Sequence, residues 1–327
     1  MQRSSCFCYT FTLLVMAITL TACASPIESV EPLTVVETNT ESHLIRHVFG
    51  ETAVPHTPQR VLALGEEGLL LDLLDTGVRP VAASVNVPES VSLVEPDELE
   101  GIELFASTGN ISLEALSTYQ PDLIIGTHFF IDTIGYEELH QMAPTVAIGS
   151  IEPLESYRET LTVFGQSEAA QRTIDAFRAQ IEAESERVDA ANQQVSVATI
   201  YSAENVALWF DGPSPIPRLL HELGVQFQPD PATIDGLDIR NGRAFISLEQ
   251  IPLMSGDTLF LLQSSKVEGE NDAVDAIQTT ALWQQLPSVQ TDQVIRLDRI
   301  GYPGLRGQYQ LLDDVVQALE GETQIQN

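Results

Sequence analysis

The chain has 327 residues, 43% of them hydrophobic, and a formal net charge of −32 from 47 acidic against 15 basic side chains. A surface so acidic repels nucleic acid and anionic lipid, which excludes partners recognised through phosphate charge. The three cysteines, Cys6, Cys8 and Cys23, all lie near the amino terminus, so no disulfide framework crosses the body and stability must come from its core.

In chain order, the first feature is a leader. A single positive charge, Arg3, precedes the apolar run Phe11–Leu20. At about ten residues this run is too short to span a bilayer and suits the hydrophobic region of an export signal. It ends in Leu20-Thr21-Ala22-Cys23, which resembles the bacterial lipobox. Residues 1–22 are then a lipoprotein signal peptide, and Cys23 carries a diacylglycerol and an acyl chain; the competing reading is an ordinary secretory signal with Cys23 incidental. Loss of Arg3 with the leader takes the mature chain to −33. Residues 23–43 mix Ser, Thr, Glu and Pro without periodicity and read as a flexible tether.

From residue 44 short apolar runs alternate with helical stretches, the pattern of an α/β fold. In a first lobe, 44–150, strands are expected at Arg60–Leu64, Val81–Ser84, Asp122–Gly126 and Thr145–Ile148. Helices are expected between them at Glu66–Asp75, Ser112–Tyr119 and Asp132–Met142, with Ser112 and Asp132 as caps and Gly77 and Pro144 as stops. Residues 151–193 change character. Leu154–Phe164 is one helix, and a second runs from Ser167 through Ala191 without Gly or Pro. Its Ile174, Phe177, Ile181 and Val188 form one helical stripe. Such a helix is a rod of roughly 35 Å, long enough to join two lobes. The second lobe, 194–321, repeats the alternation, with strands at Val195–Tyr201, Asp257–Leu262 and Val294–Leu297. Its expected helices are Pro217–Leu223, Leu248–Met254, Ala281–Leu286 and Gln308–Leu319. Two Rossmann-like α/β lobes joined by one long rigid α-helix leave a ligand cleft between them, walled by segments that follow the strands.

Five segments in order carry a resemblance. They are Arg46-His-Val-Phe-Gly50 with Val54-Pro55 and Pro58-Gln-Arg-Val61; Gly109-Asn-Ile-Ser-Leu-Glu114-Ala-Leu116 with Pro121-Asp-Leu-Ile-Ile125; Leu139-His-Gln-Met-Ala-Pro144-Thr-Val146; Ile246-Ser-Leu-Glu249-Gln-Ile; and Leu282-Trp-Gln-Gln-Leu-Pro-Ser-Val289. Together they resemble the iron-siderophore and cobalamin class of periplasmic binding proteins, over about Arg46 to Leu319. The resemblance implies a rigid two-lobed binder, monomeric and not an enzyme, that delivers an Fe(III)-siderophore to an ABC permease driven by a cytoplasmic ATPase. In that family one glutamate on each lobe docks onto permease arginines, and the matching positions are Glu114 and Glu249. Each also falls near a helix start, where an acid interacts favourably with the macrodipole whatever else it does.

A ferric siderophore fills its own metal sphere, so its binder needs aromatic faces and a few cations but no protein ligand to iron and no covalent cofactor. On the first lobe the candidate walls are Gly65-Glu66, Ser84-Val-Asn86, Ser107-Thr108 and Thr127–Phe130, with His128 and Phe129 preferred. On the second they are Trp209-Phe210, Gly212–Pro215, Arg240–Arg243, Ser264–Lys266 and Arg299–Tyr302. Trp209 and Tyr302 are the aromatic candidates there, and Arg240, Arg243 and Arg299 the cationic ones; surface pairing with the many carboxylates is the plainer role for any arginine. The six histidines show no tight ligand spacing, so no metal site is expected, and Trp283 reads as a core residue. The scarcity of Lys and Arg favours a hydroxamate or mixed hydroxamate–citrate chelate over a catecholate. Haem or cobalamin is the alternative cargo, with Tyr302 or His128 as an axial ligand for haem. A secreted α/β enzyme is the alternative from another class, although no G-x-S-x-G elbow and no Cys beyond Cys23 supplies a nucleophile.

Overall fold

A computed structural model describes residues 32–321 apart from 110, 203–204, 213, 233, 235 and 265–268. The leader, Cys23 and Lys266 lie outside the described residues. The first element is a three-stranded antiparallel ribbon, β1 (Thr34–Thr38), β2 (Ser42–His47) and β3 (Gly50–Pro55). The folded body therefore starts about ten residues before the expected end of the tether. β1 is all polar or β-branched and exposed along its length, so its composition resembles a linker although Thr and Val favour a pleated edge. Its partners are anchored from below by Ile45 and Val54, both fully buried.

The first lobe is a parallel five-stranded sheet. Its elements are β4 (Val61–Leu64), α1 (Glu67–Asp75), β5 (Ala82–Val85), β6 (Glu103–Ala106), α2 (Leu113–Thr118), β7 (Leu123–Thr127), α3 (His128–Ile134), α4 (Tyr136–Met142) and β8 (Thr145–Ile148). The strands lie in the order β6-β5-β4-β7-β8. Their alternation is visible in the packing. Val61, Ala63, Leu123, Ile125 and Val146 face one side with Leu69, Leu70 and Leu73 of α1. Leu62, Leu64, Ile124 and Ala147 face the other with Leu116, Ile131 and Leu139 of α2 to α4. The expected single helix Asp132–Met142 is two helices, because Gly135, at φ +113°, ends α3 and starts α4.

α5 (Pro153–Val163) and α6 (Ser167–Arg187) make the connection. α6 has 21 residues, so it is roughly 31 Å long. It stops short of Ala191 because Asp189 turns left-handed, at φ 50°. The predicted stripe is buried, with Ile174, Phe177, Ile181 and Val188 at 6% exposure or less, and joins the second-lobe core. Burying each such side chain stabilises by roughly 2–3 kcal/mol.

The second lobe comprises β9 (Gln194–Ser202), β10 (Asn205–Trp209), α7 (Pro215–Leu223), β11 (Gln226–Phe227), β12 (Arg243–Ile246), β13 (Thr258–Gln263), α8 (Glu270–Gln278), α9 (Pro287–Gln290), β14 (Val294–Asp298) and α10 (Gly304–Leu319). Its sheet is mixed: β9, β13 and β14 are parallel, and β10 returns antiparallel between β9 and β12. The expected helix Leu248–Met254 is a 3₁₀ turn over Leu248–Leu253 with Pro252 inside it. Trp283 is buried in the core on another such turn.

The lobes meet where α10 packs on α1. The backbones approach so closely that a Cβ on Gly68 would lie 2.9 Å from the Gly304 nitrogen. Asp72 Oδ1 accepts the Leu305 N–H at 3.2 Å. Arg306 reaches across to Asp75 and Glu98, each at 2.7 Å. On the other flank Arg218 of α7 pairs with Glu152, just before α5.

Candidate functional site

The carboxyl ends of the strands in both lobes open onto a cavity of about 440 Å³ between them. The first lobe contributes Glu66, Glu67 and Asp72 around α1, Asn86 after β5, Thr127 to Phe130 at the β7–α3 junction, and Ser150 with Ile151 after β8. The second contributes Pro215, Arg299, Ile300, Tyr302 and Gly304.

Short polar contacts hold these loops. Ser84 Oγ accepts the Gly65 N–H at 2.7 Å and donates back to the Gly65 carbonyl at 2.9 Å, tying the ends of β4 and β5. Glu67 Oε1 accepts the backbone N–H groups of Asn86 and Val87, and its Oε2 accepts Asn86 Nδ2–H. Ser107 Oγ donates to Asn86 Oδ1 at 3.0 Å. Glu159 of α5, only 6% exposed, accepts the N–H groups of Gly149 and Ser150 and so fixes the loop that presents Ile151. Buried carboxylates satisfied by backbone donors give stiff walls rather than mobile flaps.

Three of the candidate residues stand in this lining for a common reason. His128 and Phe129 open α3 directly after β7, and Arg299 follows β14, whose carboxyl ends face the cleft. Phe129 and Phe130 both belong to the cavity lining and sit on a helical turn; their rings meet edge-on at 5.6 Å. Tyr302 is part of the lining, and its hydroxyl donates to Asp314 Oδ2 at 2.7 Å.

Trp209, Arg240 and Arg243 lie outside the lining. β10 runs antiparallel, so its carboxyl end returns toward the middle of β9, with Leu208 opposite Ala198. That leaves Trp209 roughly 13 Å down the sheet from Ser202. There its Nε1–H donates to Thr199 Oγ1 at 3.0 Å, and it is 7% exposed. Arg243, opposite Trp209 in β12, stacks its guanidinium between the Trp209 and Phe245 rings, 5.2 Å from each. Arg240 is solvent-exposed and pairs with Asp238 at 2.6 Å. The rule that ligands sit at strand carboxyl ends holds for the parallel strands and not for β10, which is antiparallel.

Beside Glu66 the lining holds Glu67 and Asp72, acids that no local sequence pattern marks as cavity residues. Burial pushes the Asp72 carboxyl up to about 8, opposed by the Leu305 N–H. Glu66 is also raised, by burial first and the neighbouring Glu67 second. Among the described residues no group of three or more His, Cys, Asp or Glu is arranged to hold a metal ion. Glu114 and Glu249 are both exposed in first turns, of α2 and of the 3₁₀ turn after β12. Ser112 caps the first through the Ala115 N–H, and Ser247 with Gln250 forms a capping box at the second.

A family model described as periplasmic binding protein matches residues 69–300. A Bacillus subtilis (strain 168) protein described as probable siderophore-binding lipoprotein YfiY is 25% identical over 321 residues, covering 93% of this chain and 95% of that protein. The structure of Staphylococcus aureus SirA complexed with staphyloferrin B aligns with a TM-score of 0.67 at 22% identity, over 85% of this chain and 98% of that one. The siderophore periplasmic binding protein from the fuscachelin gene cluster of Thermobifida fusca aligns at 0.62 and 25% identity, over 82% and 98%.

Proposed function

The chain belongs to the periplasmic binding protein family, and from that premise we propose that it captures an Fe(III)-siderophore of the hydroxamate class between its lobes and hands it to an ABC permease for iron uptake. The observation that carries the reading is where apolar surface is left open. Seven large hydrophobic side chains are exposed among the described residues, and three of them, Phe129, Ile151 and Ile300, wall this one cavity. Exposed apolar groups gathered in a braced concavity indicate a ligand's organic shell rather than random surface. The names of the relatives, a probable siderophore-binding lipoprotein and a siderophore periplasmic binding protein, support the cargo. Haem is less well served, because the Tyr302 hydroxyl already bonds Asp314.

In this proposal Cys23 carries the lipid that anchors the protein outside the cytoplasmic membrane, residues 1–22 having been removed. Glu114 and Glu249 dock on the permease, whose cytoplasmic ATPase drives transport, and the binder acts as a monomer without turnover. Both glutamates stand on turns that follow strands directed at the cleft, so the opening and the docking groups share one end of the molecule.

The test is isothermal titration of the mature protein with ferric hydroxamates, ferric catecholates, haemin and cobalamin, each beside its iron-free form where one exists. Saturable one-to-one binding of a ferric hydroxamate at sub-micromolar concentration supports the proposal. Binding of haemin or cobalamin alone would replace the cargo.

A further inference from the structure

Besides the Tyr302 phenol, the ionisable groups of the cavity are Glu66, Glu67, Asp72, His128 and Arg299. Their surroundings differ. Glu67 is 8% exposed and spends both oxygens on the β5 loop, through Asn86 and Val87. Asp72 is 1% exposed; its Oδ1 holds the Leu305 N–H, and its Oδ2 takes no hydrogen bond among the described residues. With a carboxyl pushed up to about 8, Asp72 is mostly a neutral acid at pH 7, able to donate an O–H but adding little charge. Glu66 is different. It stands at the amino-terminal cap position of α1, caps no N–H with its side chain, accepts a hydrogen bond from the Asn86 side chain, remains open to solvent at the cavity although the surrounding walls raise its carboxyl, and forms no ion pair with any described Lys, Arg or His.

We infer that Glu66 is the charge selector of the cleft and that the preferred cargo is a ferric hydroxamate chelate bearing a protonated amine arm, which Glu66 receives while the exposed Phe129, Ile151 and Ile300 side chains hold the apolar remainder. The inference rests on the proposed function and narrows it. Three hydroxamates neutralise the ferric charge, so the chelate core is neutral and an ammonium arm makes the whole a cation. Three catecholates leave the complex a multiple anion. An open carboxylate in a partly desolvated cavity attracts the first and repels the second, and the second-lobe wall sets only Arg299 against it among the described residues. Asp72, as a buried neutral acid in the same lining, adds a donor suited to a hydroxamate or amide oxygen.

The test compares a linear ferric trihydroxamate ending in a primary amine with the same chelate N-acetylated and N-succinylated, titrated into wild type, Glu66→Gln and Glu66→Lys. Wild type should prefer the amine form over the acetylated form by about tenfold, the size expected for one partly screened unit charge at close range. Glu66→Gln should remove that preference, and Glu66→Lys should turn it toward the succinylated form. The melting temperature of each variant separates this role from a favourable interaction with the α1 dipole, which would lower stability and leave the preference intact. Equal wild-type affinity for all three forms, or a preference unchanged in Glu66→Gln, overturns the inference and leaves the siderophore reading standing. Failure of every ferric chelate to bind wild type overturns both.

Discussion

Replacing Arg306 with methionine probes what holds the two lobes in register. Its guanidinium donates to Asp75 Oδ1 and to both oxygens of Glu98, and also to the Leu93 carbonyl, joining α10 of the second lobe to α1 and the β5–β6 loop of the first. The three side chains are 26, 23 and 31% exposed. An exposed pair contributes about 0–1 kcal/mol, and stranding a fully buried partner costs about 3–5 kcal/mol. This half-buried fork falls between, so Arg306→Met should destabilise by about 2 kcal/mol, or roughly 4 °C in Tm for a chain of this size. The pH dependence carries a sign. The Arg306 guanidinium, helped by the Glu95 N–H, holds Glu98 down to about 2 from its ordinary 4.5. A depressed carboxylate contributes stability that is present above its unfolded value and lost as pH falls through its folded value. The gap between wild type and variant in urea unfolding should therefore be widest at pH 7 and clearly narrower at pH 3. A gap below about 0.5 kcal/mol at pH 7, or one equal at both pH values, refutes the reasoning.

Three other expectations rest on separate features. Asp72 has its folded value raised to about 8, so its contribution is complete below its ordinary 3.8 and lost as pH rises through 8. Asp72→Asn keeps the acceptor for the Leu305 N–H and removes the ionisation, and should be more stable than wild type by on the order of 2 kcal/mol at pH 8, converging toward it at pH 4, in paired chemical denaturation. Glu114→Ala with Glu249→Ala should abolish iron uptake by cells while titration gives an unchanged Kd; a matching loss of binding would assign these residues to the pocket instead. Cys23→Ser should release the protein from the membrane fraction and abolish metabolic labelling with palmitate, and persistent labelling at that position's neighbours would rule out Cys23 as the anchor.

The parts of the fold legible in the sequence are those in which one physical signal dominates. The stripe Ile174, Phe177, Ile181 and Val188 shows as a helix because a buried face and an exposed acidic face alternate at 3.6 residues, and all four are buried. The inner strands β4 and β7 show as continuous apolar runs because helices cover both faces. What escaped is edge structure. β1 is polar throughout, β6 has no fully buried residue, and β12 alternates Ala244 and Ile246 inward with Phe245 outward over only four residues. A pattern so short carries little information. The site follows the same division. His128, Phe129, Arg299 and Tyr302 reach the cavity lining because they follow parallel strands whose direction fixes where they end. Trp209 and Arg243 looked equivalent by sequence, but β10 is antiparallel, and one reversal carries both away from the cleft. Asp72 lines the cavity only because α10 packs across it from more than two hundred residues away, a contact that local pattern cannot convey.

The most direct test of the central claim is to locate the iron. Crystals of the mature protein grown with a ferric hydroxamate, measured on both sides of the iron absorption edge, give an anomalous difference map in which iron alone stands out. The account predicts one strong peak between the lobes, within the cavity bounded by Phe129, Ile151, Ile300 and Tyr302, with no protein atom coordinating the metal. A peak outside that cavity, for instance beside Trp209 and Arg243, or iron ligated directly by His128 or Glu66, would contradict it.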